Sequence, residues 1–301
     1  MDLNPNSHLS AKRGPNMPAA HQETELHSQT QDRDIRANIA VHDRVAESYD
    51  SIHGEIFNPV EQQRLAQALR VARDLVTAPA VPRRALDFGC GSGNLTRHLL
   101  ALDFSVTAAD VSAKFLDLVR RRFPSDELTT LRLNGRDLSE LADDSVDLAA
   151  TYSVLHHVPD YLAAVDELGR VVKPGGIVYI DHEPPDGFWD ANPELEQFYR
   201  EGRPYNWRKW FVPSNYMHKV WRLFDPHHAN EGDIHVWPDD HIEWHRIDAV
   251  LAKRGFELAK ADDYLLFRSG YRSEVYERFR TRCWDMRCVA YRKRVEPIAP
   301  T

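Results

Sequence analysis

The sequence predicts an α/β fold, a doubly wound and mostly parallel sheet with a segment inserted after its fifth strand. Three observations carry this expectation. Short apolar runs alternate with segments of helical periodicity from residue 81 onward. A glycine loop joins the first apolar run to the next helix, and the rhythm breaks once, after Asp181. Strands and helices in alternation place helices on both faces of a parallel sheet.

Taken in order, FNPVEQQRLAQALRVARDLV predicts a helix with Asn58 as N-cap and Pro59 in the first turn. Leu65, Leu69, Ala72 and Val76 recur along it at helical spacing. RALDF is a strand and NLTRHLLALD a helix; SVTAAD is a strand and SAKFLDLVRRRF a helix stopped by Pro124. TTLRLN and VDLAATYS are strands, YLAAVDELGRVV is a helix ended by KPGG, and IVYID is the fifth strand.

Residues 182–240 are rich in Pro, His and aromatics. Six of the seven tryptophans, Trp189, Trp207, Trp210, Trp221, Trp237 and Trp244, fall in or just beyond them. This segment is read as a lid over the C-terminal edge of the sheet, where doubly wound folds bind ligands. The aromatic core of a helical subdomain is the alternative. A helix over DDHIEWHRIDAVLAKRG, the stretch FELAKADDYLLF and a last strand around RCVAYRKR complete the chain. The expected division is a disordered tail (1–36), N-terminal helices (37–80), a core (81–181), the lid (182–240) and the rest of the sheet (241–301).

Composition narrows the function. The 301 residues carry a net charge of −8, so no basic field draws the protein to nucleic acid. Three cysteines, Cys90, Cys283 and Cys288, make neither a disulfide framework nor a four-ligand zinc site, and fit a reducing cytoplasm. The polar N-terminus lacks the apolar stretch of a secretory signal, and no run approaches the ~20 apolar residues of a membrane span.

The loop LDFGCGSGN asks what it holds. Gly89, Gly91 and Gly93 follow a strand and precede a helix. A dinucleotide loop needs a glycine where Asn94 stands, and no triphosphate-loop lysine follows. What remains is D-x-G-x-G-x-G, a loop that lets a ligand without pyrophosphate approach the backbone. Asp110 ends the second strand about twenty residues on, where a carboxylate accepts hydrogen bonds from ribose hydroxyls. Capping the next helix is its other possible role, though Ser112 suits that better.

With these residues in place, the sequence resembles the class I S-adenosylmethionine-dependent methyltransferases, and most the small-molecule group of the ubiquinone/menaquinone-biosynthesis type. ALDFGCGSGN, VTAADVSAKFL, DDSVDLAATYSVLHHVPD and LGRVVKPGGIVYI carry the resemblance, which runs from about Val41 to Asp181. It implies a Rossmann-like sheet of seven strands and S-adenosylmethionine as cofactor. It also implies that Asp87 orients the loop, that the Gly89 and Gly91 backbone faces the methionine part, and that Cys90 and Gly93 belong to the same cofactor-binding loop. Asp110 would hold the ribose, Val111 would lie on the adenine and Asp137 near its amino group. Arg136 stands between Asp137 and the glycine that the family usually places directly before this acid. Tyr152 and Ser153 would line the methionine side. Tyr49, in VAESYDSIHGEI, would reach the cofactor's carboxylate, or else pack within an amphipathic helix.

Methyl transfer to a hydroxyl calls for a base. The candidates are His156 and His157 in LHHVPD, and His182 and Glu183 after the fifth strand. The first pair occurs in the family with varied acceptors, which points as well to a role in supporting the fold. His227, His228, His235, His241 and His245 match no metal-ligand pattern, so no metal is expected. The arginines of RSGYRSEVYERFRTRCWDMRCVAYRKR are a solvated face, or a site for an anionic acceptor. The expected function is methylation of a small-molecule acceptor, O-methylation first and N- or C-methylation next. The rivals are a non-catalytic cofactor-binding partner and an enzyme that uses the fold without methyl transfer.

Overall fold

The computed structural model describes residues 32–33, 35–77, 81–203 and 242–295. The helices are α1 (35–45), α2 (Tyr49–Ile52), α3 (Pro59–Leu75), α4 (Asn94–Leu100), α5 (Ala113–Arg122), α6 (Tyr161–Val171), α7 (Pro193–Gly202), α8 (Trp244–Lys253) and α9 (Ser273–Phe279). The strands are β1 (Arg83–Phe88), β2 (Phe104–Asp110), β3 (Leu128–Arg132), β4 (Val146–Tyr152), β5 (Val172–Glu183), β6 (Phe256–Tyr264) and β7 (Met286–Lys293). They form one sheet in the order β3-β2-β1-β4-β5-β7-β6. All neighbours are parallel except β7, which runs antiparallel to both β5 and β6.

Local chemistry sets the helix starts. The Asn58 side chain accepts from Glu61 N at 2.9 Å, with Pro59 in the first turn where it has no intrahelical bond to lose. Ser112 Oγ accepts from Phe115 N at 3.2 Å and so takes the cap that frees Asp110. The central strands are buried on both faces, every residue of β4 included, which is why they read as unbroken apolar runs.

Two cores flank the sheet. On one face α3 and α4 bury Leu65, Leu69, Leu95 and Leu99; on the other α6 and α8 bury Val165, Leu168, Ile247 and Leu251. A satellite core joins α7 and α9 through Phe198 and Phe279.

The boundaries differ from expectation in two places. The helix α1 starts by Ile35, so the border at 36 falls inside it. The strand β5 begins before KPGG and runs on through Glu183, so His182 and Glu183 are strand residues rather than the start of a lid. Residues 204–241 lie outside the described residues, and with them Trp207, Trp210, Trp221, Trp237, His227, His228, His235 and His241. Of the two other tryptophans of that group, Trp189 in the segment is exposed, whereas Trp244 just beyond it is buried in the main core. Among the described residues no helix is long and apolar enough to cross a membrane.

Trp244 ties α8 to the end of β5, because its Nε1 donates to the Pro184 carbonyl at 2.8 Å. Trp244→Ala should cost about 3–5 kcal/mol through the cavity and the stranded carbonyl, read from the urea midpoint at unchanged m-value.

Candidate active site

The strand order reverses between β1 and β4, and the loops leaving their C-terminal ends part to form a crevice. A cavity opens there, with about 1230 Å³ of empty space when its open mouth is included. That is ample for a nucleoside-sized ligand.

The floor is the glycine loop. Gly91 has φ +48° and nothing within 4 Å of where a Cβ would stand, so its backbone faces open space. Gly93 is different: at φ +94° a Cβ would lie 2.4 Å from the Phe123 ring, so it is a packing glycine, and it does not line the cavity. Asp110 pins the loop from the neighbouring strand. Its Oδ2 accepts from Gly91 N at 2.9 Å and its Oδ1 from Ser112 N at 2.7 Å. Beneath the loop, Asp87 is 1% exposed and accepts from Thr96 Oγ1 at 2.6 Å. Burial, with the nearby Asp110 charge, pushes its carboxyl up to about 7.

Of the eleven residues expected at the cofactor, the other ten line this cavity. Asp87, Gly89, Cys90, Gly91, Asp110 and Val111 come from β1, β2 and their loops; Tyr152 and Ser153 end β4. Tyr49 lines the cavity and packs on His53 with ring centroids 4.2 Å apart. Asp137 reaches the wall, yet its Oδ1 is taken up by Asn134 and Ser139 within its own turn. The wall also includes Ile35, Asn38 and His42 of α1, none of which the sequence singled out.

The four expected bases separate. His157 lines the cavity; His156, His182 and Glu183 do not. Glu183 is fully buried: Oε1 accepts from Val154 N at 3.0 Å and Leu155 N at 2.8 Å, and Oε2 is 2.7 Å from His156 Nδ1. Glu183 is 0% exposed and does not line the cavity, so with His156 it anchors the loop after β4 instead of facing a substrate.

His182 joins a buried polar cluster that sequence reasoning missed. Arg64 Nε donates to both oxygens of Glu61 at 2.9 and 3.0 Å, and its Nη2 donates to both oxygens of Asp181 at 3.2 and 3.0 Å. The guanidinium lies 3.8 Å from the Tyr264 ring centroid. Tyr264 and Tyr179 donate their hydroxyls to Asp181. Tyr152, from the cavity wall, donates to Glu61 Oε1 at 3.0 Å, and His182 Nδ1 lies 2.9 Å from the same phenol oxygen. Burial, with the Asp181 charge adding, raises the Glu61 carboxyl against the pull of Arg64. Burial and then the Arg64 charge hold the His182 imidazole well below its usual range, hence neutral. One signal was present in the sequence. Glu61 sits four residues before Leu65 on the stripe that the helix buries.

Residues 86–180 match the Methyltransferase domain family. The chain carries a class I methyltransferase domain. Its curated relatives include a demethylmenaquinone methyltransferase of Clavibacter sepedonicus, 33% identical over 47% of this chain and 56% of that protein. A malonyl-[acyl-carrier protein] O-methyltransferase of Yersinia pestis is 32% identical over 48% and 49%. The chain thus spans about half the length of the curated relatives it matches. Among solved structures, an S-adenosylmethionine dependent methyltransferase of Mesorhizobium loti aligns with a TM-score of 0.51 and 21% identity, over 77% of this chain and 100% of that one. That likeness speaks for the fold.

The cosubstrate of such a domain is S-adenosylmethionine, and the cavity fits it. Asn38 Oδ1, Ser92 Oγ and Asn94 Nδ2 are buried polar atoms on its wall without a partner among the described residues. The backbone at Gly91 leaves the room that a ligand would fill. Among the described residues no group of His, Cys, Asp and Glu is placed to hold a metal ion.

Two outcomes follow from this methyltransferase site. Asp110→Ala should weaken S-adenosylmethionine binding by about 1.5–3 kcal/mol, measured by calorimetry in protein whose folded circular dichroism is intact. The second concerns pH. A neutral His182 means that, below its unfolded pKa near 6.5, the unfolded chain takes up a proton that the folded chain refuses. Stability is therefore lost on acidification, by up to ~1.4 kcal/mol per pH unit. Denaturation midpoints of His182→Asn should lack that part of the slope between about pH 6.5 and about pH 5.

Proposed function

We propose that the protein transfers a methyl group from S-adenosylmethionine to a hydroxyl of a small-molecule acceptor. The observation that carries the reading is the join at Tyr152. This residue lines the cavity, while its hydroxyl reaches into a buried acid cluster. When bound, S-adenosylmethionine supplies an electrophilic methyl on its sulfonium.

The chain's own residues do the rest. Asp110 accepts hydrogen bonds from the ribose, and the glycine loop lets the ligand approach the backbone. The walls from α1 and the loop after β4 exclude water, which strengthens every electrostatic interaction inside. A hydroxyl acceptor must lose its proton as it attacks. Tyr152 Oη takes that proton while passing its own to Glu61 Oε1, and His182, donating from Nδ1, steadies the phenol oxygen between them. Glu61 suits the end of this path because burial favours its protonated form. Arg64 and Asp181 hold Glu61 and His182 in place. In this reading the base is Glu61 acting through Tyr152, in place of His156, His157, His182 and Glu183.

The first experiment is calorimetric titration with S-adenosylmethionine, with NAD as control, followed by a screen of hydroxylated and amine acceptors for a methylated product. One-to-one binding of the former alone and methylation of hydroxyls support the reading. Methylation of amines or carbon centres instead would move the chemistry, and binding without transfer would favour a non-catalytic role. With a hydroxyl acceptor, Tyr152→Phe should lower kcat by about 10²-fold or more, the usual share of acid–base help, and leave cosubstrate affinity unchanged.

A further inference from the structure

We propose that Arg268 holds an anionic group of the acceptor, a carboxylate set apart from the hydroxyl that is methylated. The inference rests on the proposed transfer to a hydroxyl, and adds to it the class of acceptor. It bears on the arginine-rich run that begins at Arg268, which the sequence leaves as a solvated face or a site for an anionic acceptor.

Much of the run is a solvated face. Arg278, Arg280 and Arg282 are exposed and pair with Glu201, Glu277 and Glu194. Arg268 is held differently. Its Nη2 donates to Oδ2 of the fully buried Asp285 at 3.1 Å. Asp285 also accepts from Leu266 N at 2.7 Å and from Tyr199 Oη at 2.8 Å, so its charge is shared with two neutral donors. The guanidinium lies 5.4 Å from the Tyr199 ring centroid. Its Nε is buried with no hydrogen-bond partner among the described residues, while the side chain as a whole is 31% exposed. A buried donor left unmade costs free energy, and a guanidinium can only donate, so the group calls for an acceptor from a ligand.

Its place is beside the reacting end of the site. β5 and β6 are both antiparallel to β7, so they run together, and the segment after Tyr264 leaves at the edge where Glu183 ends. There Asn58 Nδ2 donates to the Phe267 carbonyl at 3.2 Å, and Ser269 Oγ donates to the Gly54 carbonyl at 2.6 Å. These two bonds bracket Arg268 against the loop whose Ile56 and Phe57 line the cavity. Glu55 of that loop is turned to His53, with Oε1 3.0 Å from Nδ1. After burial and the Arg64 charge, Arg268 is among the charges that hold the His182 imidazole below its usual range. His182 Nδ1 in turn lies 2.9 Å from Tyr152 Oη. An acceptor whose hydroxyl lies at Tyr152 therefore has this guanidinium on its flank. A planar fork with an unmade N–H suits a carboxylate. One guanidinium beside an acidic cluster suits a single negative charge better than the two of a phosphate.

Hydroxylated carboxylic acids and their matching carboxamides, which lack the charge, test this as paired acceptors with S-adenosylmethionine. Measuring kcat/KM for each pair gives an acid-to-amide ratio, in which any general loss of folded protein cancels. The expected ratio is at least about tenfold in the unsubstituted protein, the worth of a hydrogen bond to a charged group, and near one in Arg268→Gln. Arg268→Lys keeps the charge without the fork and should fall between the two. A ratio near one in the unsubstituted protein would overturn the inference, and so would a ratio that survives Arg268→Gln. Preference for hydroxylated phosphate monoesters over the acids would overturn the choice of a carboxylate. If only acceptors without an anionic group are methylated, the inference fails while the proposed transfer stands. If no acceptor is methylated although S-adenosylmethionine binds, the proposed transfer fails and this contact with it.

Discussion

Two buried carboxylates hold the crevice open. Asp110 ends β2 and takes the amide of Gly91 in the loop after β1. Glu183 ends β5 and takes the amides of Val154 and Leu155 in the loop after β4. The strand order β2-β1-β4-β5 makes these mirror arrangements, with an outer strand pinning the loop of the inner strand beside it. Loop amides at a topological switch point have no ladder partner of their own, and buried donors must be satisfied. A carboxylate from the neighbouring strand satisfies them and fixes where the loop goes. Every cavity residue from Gly89 to Ser92 and from Ser153 to His157 depends on one of these two anchors.

The cluster behind Tyr152 is a different use of charge. Glu61 and Asp181 are 2% and 0% exposed and share one arginine. Taking three charges out of water costs several kcal/mol per ion before any attraction is counted, so a packed apolar cluster would often serve stability as well. The arrangement makes sense as positioning. Two carboxylates around one guanidinium leave a net negative charge, and the phenols of Tyr152, Tyr179 and Tyr264 all point their hydroxyls into it. A tyrosine held this way has a fixed rotamer and a proton acceptor at hand, which is what a group on a cavity wall needs for proton transfer.

The sheet could be read from the sequence because its determinants are local. Buried parallel strands give apolar runs, and Asn58, Pro59 and Ser112 announce helix starts by their own side-chain chemistry. The glycine loop was also local, although its three glycines serve unlike ends: Gly91 opens onto the cavity, while Gly93 makes way for Phe123. The cluster could not be read in the same way, because Arg64 and Asp181 lie 117 positions apart. On paper Glu61 and Arg64 look like a surface pair three residues apart on a helix. His182 and Glu183 were misplaced for a related reason. β5 outruns its apolar pattern, since buried Asp181, His182 and Glu183 continue the strand with polar side chains whose partners come from α3, β4 and β6.

The same contrast limits what similarity can say about the acceptor. The segment that matches the methyltransferase domain ends at residue 180. It holds the glycine loop, Asp110 and Tyr152, whereas Ile35, Asn38, His42 and Tyr49 of the same cavity wall precede it. Glu61, Arg64, Asp181, His182, Glu183 and Tyr264 all fall outside it. A cosubstrate common to many enzymes needs the same half-site each time, whereas each acceptor needs its own. In this chain the cluster behind Tyr152 is assembled from an N-terminal helix and from strand ends that follow the matched segment. The match over residues 86–180 therefore says nothing about the polar cluster behind Tyr152.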